Sequence, residues 1–200
     1  MTREPMPDPF ADQPDWAPRP PRPLALVPAA AEQELRGRRV RIGLPGTGWR
    51  ADLRGDEKVV QRSRTYVPVL PEQEWYRAES EDVEVFAPLV PADRVWVERA
   101  DDGLTAPVRD DVLSRLVSLD APAALFPVPV VDAGPLTGRR LVHMDDGVER
   151  RDLRAVTELH TGADGDICVR AAQELAWYRW VWTGKPPETI ELPVHLLWVE

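Results

Sequence analysis

Trp75-Tyr76-Arg77 recurs as Trp177-Tyr178-Arg179, 102 positions further along the chain, and the rest of the sequence is read outward from this repeat. The same shift carries Pro91, four residues and Trp96-Val97-Glu98 onto Pro193, four residues and Trp198-Val199-Glu200, and pairs Val67 with Val169 and Glu72 with Glu174. Upstream, Arg50-Ala51-Asp52-Leu53-Arg54 matches Arg150-Arg151-Asp152-Leu153-Arg154 at a shift of 100, and Gly37-Arg38-Arg39 matches Gly138-Arg139-Arg140 at 101. With eight tryptophans in 200 residues, two Trp-containing triplets repeating in one frame point to an internal duplication. The expected units are residues 37–98 and 138–200.

Each unit reads as short strands. In the first, Val40 and Ile42 alternate with arginines, Leu44-Pro45-Gly46-Thr47-Gly48 supplies turn chemistry, and Trp49 to Arg54 returns, a hairpin signal. Further strands are expected near 64–70, 74–79 and 93–99, and in the second unit near 138–143, 149–155, 166–172, 174–182 and 190–199. Glu174-Leu175-Ala176 has helix propensity, but Trp177 to Trp182 is β-rich, and the repeat favours strand. The strand order and spacing resemble an SH3-like small barrel. The fold class expected is therefore mainly β (α+β): a tandem duplication of a small five-stranded SH3-like barrel or sheet, joined by a linker with one helix. Units this small are marginal alone and should pack on each other.

The flanks differ in kind. Residues 1–28 hold nine of the 22 prolines and no apolar periodicity, so residues 1–36 read as a disordered Pro-rich arm, with a possible helical turn over 29–36. Within it, Pro18-Arg19-Pro20-Pro21-Arg22-Pro23 has the pattern of a PxxP ligand, although a solvated linker is the simpler reading. In the linker, residues 99–137, Val112, Leu113, Leu116 and Val117 recur at helical spacing behind Pro107 and predict a helix over about 107–119. Leu125 to Val131, broken by Pro127 and Pro129, reads as an extended edge segment.

Composition narrows the class. A net charge of −9 and a pI near 4.9 argue against a nucleic-acid binder. No apolar run reaches the length of a membrane span, and the N-terminus lacks a secretory layout, so the expected location is cytoplasmic and membrane partners are excluded. The single cysteine, Cys168, fits a reducing compartment; the absence of Asn and a lysine count of two suggest a GC-rich bacterial source.

Candidate binding residues are the repeated aromatics and their neighbours: Trp75, Tyr76, Arg77, Trp177, Tyr178, Arg179, and Trp180 and Trp182 of the second unit. On a strand, Trp180 and Trp182 would share a face with Tyr178. Trp96 and Trp198 point away from their units' apolar faces and are expected at the inter-unit interface. Arg50, Asp52 and Arg54 read as a solvated charge row. Cys168 with His160 or His143 invites a nucleophile reading, but Cys168 takes the frame position of Tyr66, a semi-buried strand site. Asp164-Gly165-Asp166 lacks the later ligands of a calcium loop, the Gly-rich 44–48 segment lacks the lysine of a phosphate loop, and no cofactor or metal is expected. The function favoured is a non-enzymatic binding or adaptor protein with a protein partner. The alternatives are a small enzyme using Cys168 and His160, or a structural subunit of a mobile-element or phage assembly.

Overall fold

A computed structural model of the chain describes residues 19–44, 48–104 and 121–200. The helix expected over 107–119, the first 18 residues of the arm and the centre of the Gly-rich turn lie outside the described residues.

The duplication is real and larger than the sequence repeat. Unit 1 comprises β1 (Leu24–Pro28), β2 (Arg39–Leu44), β3 (Gly48–Gly55), β4 (Val59–Gln61), β5 (Arg64–Pro71), α1 (Glu72–Glu81), β6 (Leu89–Pro91) and β7 (Val95–Ala100). Unit 2 comprises β8 (Val128–Pro129), β9 (Arg140–Asp145), β10 (Val148–Ala155), β11 (His160–Thr161), β12 (Ile167–Gln173), α2 (Glu174–Thr183), β13 (Ile190–Pro193) and β14 (Leu197–Val199). The first sheet runs β1-β7-β2-β3-β5-β4 with β6 on β5, and the second runs β8-β14-β9-β10-β12-β11 with β13 on β12. Element by element these are one antiparallel topology built twice. Each sheet curls because β5 and β12 change partners along their length; Val69–Pro71 pairs with β3, while Tyr66–Pro68 pairs with β6.

Two expectations need correcting. Residues 24–36, assigned to a disordered arm, belong to unit 1: Leu24 to Pro28 pairs with Trp96 to Ala100, and Ala29 and Leu35 are buried. The counterpart in unit 2 is Val128-Pro129-Val130 and Leu136, at a shift of 101, so unit 2 also begins before residue 138. The common residues of these two segments, Val27/Val128, Pro28/Pro129 and Leu35/Leu136, are of frequent types and include no tryptophan, so the repeat is faint there. The second correction concerns 74–79 and 174–182, which are helical. Glutamate opens each helix in its first turn, where it complements the dipole, and a left-handed residue closes it: Asp82 at φ 49° and Gly184 at φ 72°. The Gly184 amide donates to the Trp180 carbonyl at 2.8 Å. Helix propensity at 72–74 and 174–176 together with these caps overrides the aromatic preference for strand.

Each unit has its own core. Leu35, Val40, Leu53, Val67, Val95 and Val97 are buried in unit 1, and their equivalents Leu136, Leu141, Leu153, Val169, Leu197 and Val199 are buried in unit 2. At roughly 1.5–3 kcal/mol for each such side chain, these clusters supply the main driving force within each unit. In the β2–β3 and β9–β10 hairpins the register shifts between Val40 and Ile42 and between Arg150 and Leu153, and Asp52 takes φ 55° at its bulge. The bulge breaks strand alternation, so Arg54 and Arg154 turn toward the junction of the units.

Among the described residues no helix is long and apolar enough to cross a membrane.

Candidate functional site

The units meet along a seam of buried charge. Arg54 of β3 donates from Nη2 to Glu174 of α2 at 2.9 Å and to the Tyr76 hydroxyl at 2.9 Å, and Tyr76 itself donates to Glu174 at 2.9 Å. The mirror set uses the equivalent residues: Arg154 donates to Glu72 at 2.8 Å and to the Tyr178 hydroxyl at 2.6 Å, and Tyr178 donates to Glu72 at 2.9 Å. Each arginine's other terminal nitrogen is held by a carbonyl of its own unit, Gly37 or Gly138, at 2.8 Å. A second layer repeats the exchange: Arg39 reaches Glu200 at 3.1 Å and Arg140 reaches Glu98 at 2.9 Å. The carboxylates are almost wholly enclosed, with Glu72, Glu174 and Glu200 side chains at most 1% exposed.

Burial and the facing carboxylates push both tyrosine hydroxyls well above their ordinary range. Burial alone would raise Glu98, but Arg140 and Arg41 overcome it and hold its carboxyl at about 2. Charges locked in this way link the units and leave the seam little capacity for proton transfer near neutrality.

Sequence reasoning took Arg54 for a solvated residue; its side chain is 13% exposed, whereas Arg50 does face solvent. The repeat carried only part of the signal: Arg39/Arg140, Arg54/Arg154, Glu72/Glu174 and Glu98/Glu200 each keep one charged residue in both copies, but so do the exposed Arg77/Arg179.

The candidate aromatics separate into three roles. Trp75 and Trp177 pack against Gly37 and Gly138, whose φ of +73° and +82° favours glycine; a Cβ there would just touch each indole at 3.4 Å. Tyr76 and Tyr178 belong to the seam. Arg77 and Arg179 are exposed, Arg77 pairing with Glu81 at 3.1 Å. Trp180 and Trp182 are half-buried on α2 and, about 200° apart around a helix, do not share one face with Tyr178. Trp96 meets Trp49 of its own unit edge-on at 6.3 Å, and Trp198 packs with Val142 and Met144 of its own unit.

The outer side of α2 stands apart from that of α1. Leu175 and Trp182, seven residues and about two turns apart, share one side with Arg179 between them, and Leu175 is 38% exposed; Val181, 51% exposed, and Trp180 lie on other sides of the helix. At the positions equivalent to Leu175, Trp182, Val181 and Trp180, α1 has Gln73, Ser80, Glu79 and Ala78.

Cys168 and His160 are cross-strand neighbours in β12 and β11. His160 Nε2 contacts Glu191 at 2.6 Å, and Nδ1 contacts Thr157 and the Glu158 carbonyl at 3.3 Å, so both ring nitrogens are engaged away from the sulfur. Burial and the nearby Glu191, Asp166 and Asp164 raise the thiol pKa. Gly162, Asp166 and Gly165 close a plain hairpin turn, with the Gly162 amide donating to the Asp166 carbonyl at 2.7 Å. His195 is exposed in a turn between β13 and β14.

No family model, no curated protein and no solved structure matches this chain.

Proposed function

We propose that the chain is a non-enzymatic binding protein of the cytoplasm that uses the outer side of α2 to hold a segment of a partner protein. The observation that carries this is the contrast between the two helices. One backbone, built twice, is satisfied at the positions of Leu175 and Trp182 by Gln73 and Ser80 of α1, so the shared fold does not require an apolar side chain at either. Exposed apolar clusters with aromatic anchors are the usual chemistry of protein contacts.

Charge defines the partner further. Arg179 lies between Leu175 and Trp182 at helical spacing, while Glu174 turns into the seam, so the exposed side of α2 carries a cation and no acid on a chain of net charge −9. The segment held is therefore an amphipathic one that flanks its apolar anchors with Asp or Glu. A catalytic reading through Cys168 is disfavoured by its raised thiol pKa and by a histidine engaged elsewhere.

The test grafts α1 onto α2: Leu175→Gln, Trp180→Ala, Val181→Glu and Trp182→Ser in the full chain. The probes are two amphipathic 15-residue helical peptides with Leu and Phe anchors, flanked by Glu in one and Lys in the other. Binding of the Glu-flanked peptide by the wild type, lost in the graft, supports the proposal. Equal binding by the graft refutes it. If the wild type instead forms dimers that the graft abolishes, the surface joins copies of the chain and the heterologous reading falls.

A further inference from the structure

A second surface of unit 2 lies where residues 19–23 run against the β9–β10 hairpin. In Pro20-Pro21-Arg22-Pro23 only Arg22 has a backbone N–H, and that N–H donates to Glu149 at 2.7 Å. The Arg22 Nε donates to the same carboxylate at 3.1 Å and lies 3.7 Å from Asp102, while the Arg22 carbonyl accepts from the Arg151 guanidinium. One arginine is thus read at its amide, its carbonyl and its side chain. The prolines on either side ask for no donor pairing and hold the segment extended at little entropic cost. Burial would raise the Glu149 carboxyl, but Arg22 and Arg151 hold it below its ordinary range.

The surroundings suit a basic segment. A cleft of about 750 Å³ separates Arg19, Pro20 and Arg22 from a wall of Asp145, Asp146 and Glu149 with Met144 and Leu196. Unit 1 has no equivalent, since Trp49 and Ala51 occupy the positions of Glu149 and Arg151. The hairpin carrying this acid and this arginine is therefore peculiar to unit 2, as the apolar α2 surface is.

We propose that the outer side of the β9–β10 hairpin is a receptor for an extended arginine-proline segment of another protein, and that residues 19–23 occupy it in cis as a competing plug. This surface is separate from α2 and stands or falls independently of the partner proposed there. A tethered segment acts at millimolar effective concentration, so the wild type should bind such a peptide poorly until its own arm is weakened.

The experiment uses the full chain and a fluorescein-labelled peptide with the sequence of residues 17–24, Ala-Pro-Arg-Pro-Pro-Arg-Pro-Leu. Arg22→Ala, which removes the plug's own side chain, should tighten peptide binding by about tenfold or more over wild type. Adding Glu149→Gln to that variant should abolish the gain, and a peptide with Ala at the second arginine should not bind. Should Arg22→Ala lower the melting temperature, Pro21→Gly loosens the arm while leaving the receptor intact and is measured instead. Binding no tighter in the loosened variants than in wild type overturns the proposal, as does binding that survives the loss of Glu149.

Discussion

Tyr76 and Tyr178, equivalent residues of the two units, stack across the seam with ring centroids 5.4 Å apart and planes 26° from parallel, and each donates its hydroxyl to the glutamate that opens the other's helix. The exchange is reciprocal at every layer: β3 of one unit to the helix of the other, β2 of one to the last strand of the other. That is the pattern of an isologous dimer contact, held here within one chain. Two marginal units thereby become one body, which the apolar cores alone do not provide because each is complete within its own sheet.

Glu72, like its counterpart Glu174, faces three arginines of the seam, with its carboxylate at 3.4 Å from Arg39, 3.0 Å from Arg54 and 2.8 Å from Arg154. Glu72→Ala leaves three guanidinium groups facing a smaller counter-charge, and the expected loss is on the order of 3–5 kcal/mol. Tyr178→Phe removes one hydroxyl and should cost about 1–2 kcal/mol. Urea unfolding followed by circular dichroism measures both. A loss below about 1 kcal/mol for Glu72→Ala would show that the seam contributes little to stability.

How far the sequence revealed this architecture depended on residue type. Tryptophan is rare enough that Trp75, Trp96, Trp177 and Trp198 exposed the duplication unaided, and the alternation of Val95 and Val97 gave β7 its buried face. The helices were hidden because Trp177 to Trp182 favours strand locally, and only caps at Gly184 and Asp82, together with the reach of Glu174 and Glu72 across the seam, decide otherwise. The seam itself was harder to see. A repeated arginine such as Arg54 looks solvated on a regular strand, and the bulge at Asp52 that turns it inward leaves no mark in the pattern. The α2 surface was visible as excess tryptophan, but its exposure followed only once α1 served as the comparison.

Acid should act through the second layer. Glu98 is held at about 2 against 4.5 for the free side chain, because Arg140 and Arg41 favour the charged form despite burial. A depressed carboxyl contributes fully above pH 4.5, loses its contribution as pH falls toward 2 and contributes nothing below that, a total of roughly 3 kcal/mol. Glu98→Gln should therefore be less stable than wild type at pH 6 and should show a flatter decline between pH 4.5 and 3. Urea midpoints at pH 6, 4.5 and 3 provide the measurement, and parallel curves for the two proteins would contradict it.

Trp198 and Trp96 occupy equivalent strand positions with unequal cover. Trp198 is 8% exposed among Val142 and Met144, whereas Trp96 is half-buried against the edge of Trp49. Trp198→Ala should cost on the order of 3–5 kcal/mol, and Trp96→Ala should cost less, about 2 kcal/mol. Equal losses would mean that something beyond the neighbours named here covers Trp96.

The last expectation concerns the connection between the units. Leu24 pairs with Ala100 on one side and exchanges both backbone hydrogen bonds with Leu125 on the other, at 2.8 and 3.0 Å, so the chain leaves and re-enters the sheet on either side of one strand. Two strand spacings put Ala100 and Leu125 about 10 Å apart. Removing residues 105–120 and joining Leu104 to Ala121 leaves eight residues between Ala100 and Leu125, with an extended reach of roughly 26 Å, ample for the gap. Shortening the connection from 24 residues to eight also lowers the entropic cost of bringing its ends together, by about 1 kcal/mol. The deletion should therefore fold with a urea midpoint equal to or slightly above wild type. The segment removed contains the helix expected over 107–119. A loss of several kcal/mol on deletion would assign that helix a packing role against the units, and an unchanged midpoint leaves the tryptophans covered by their own sheets.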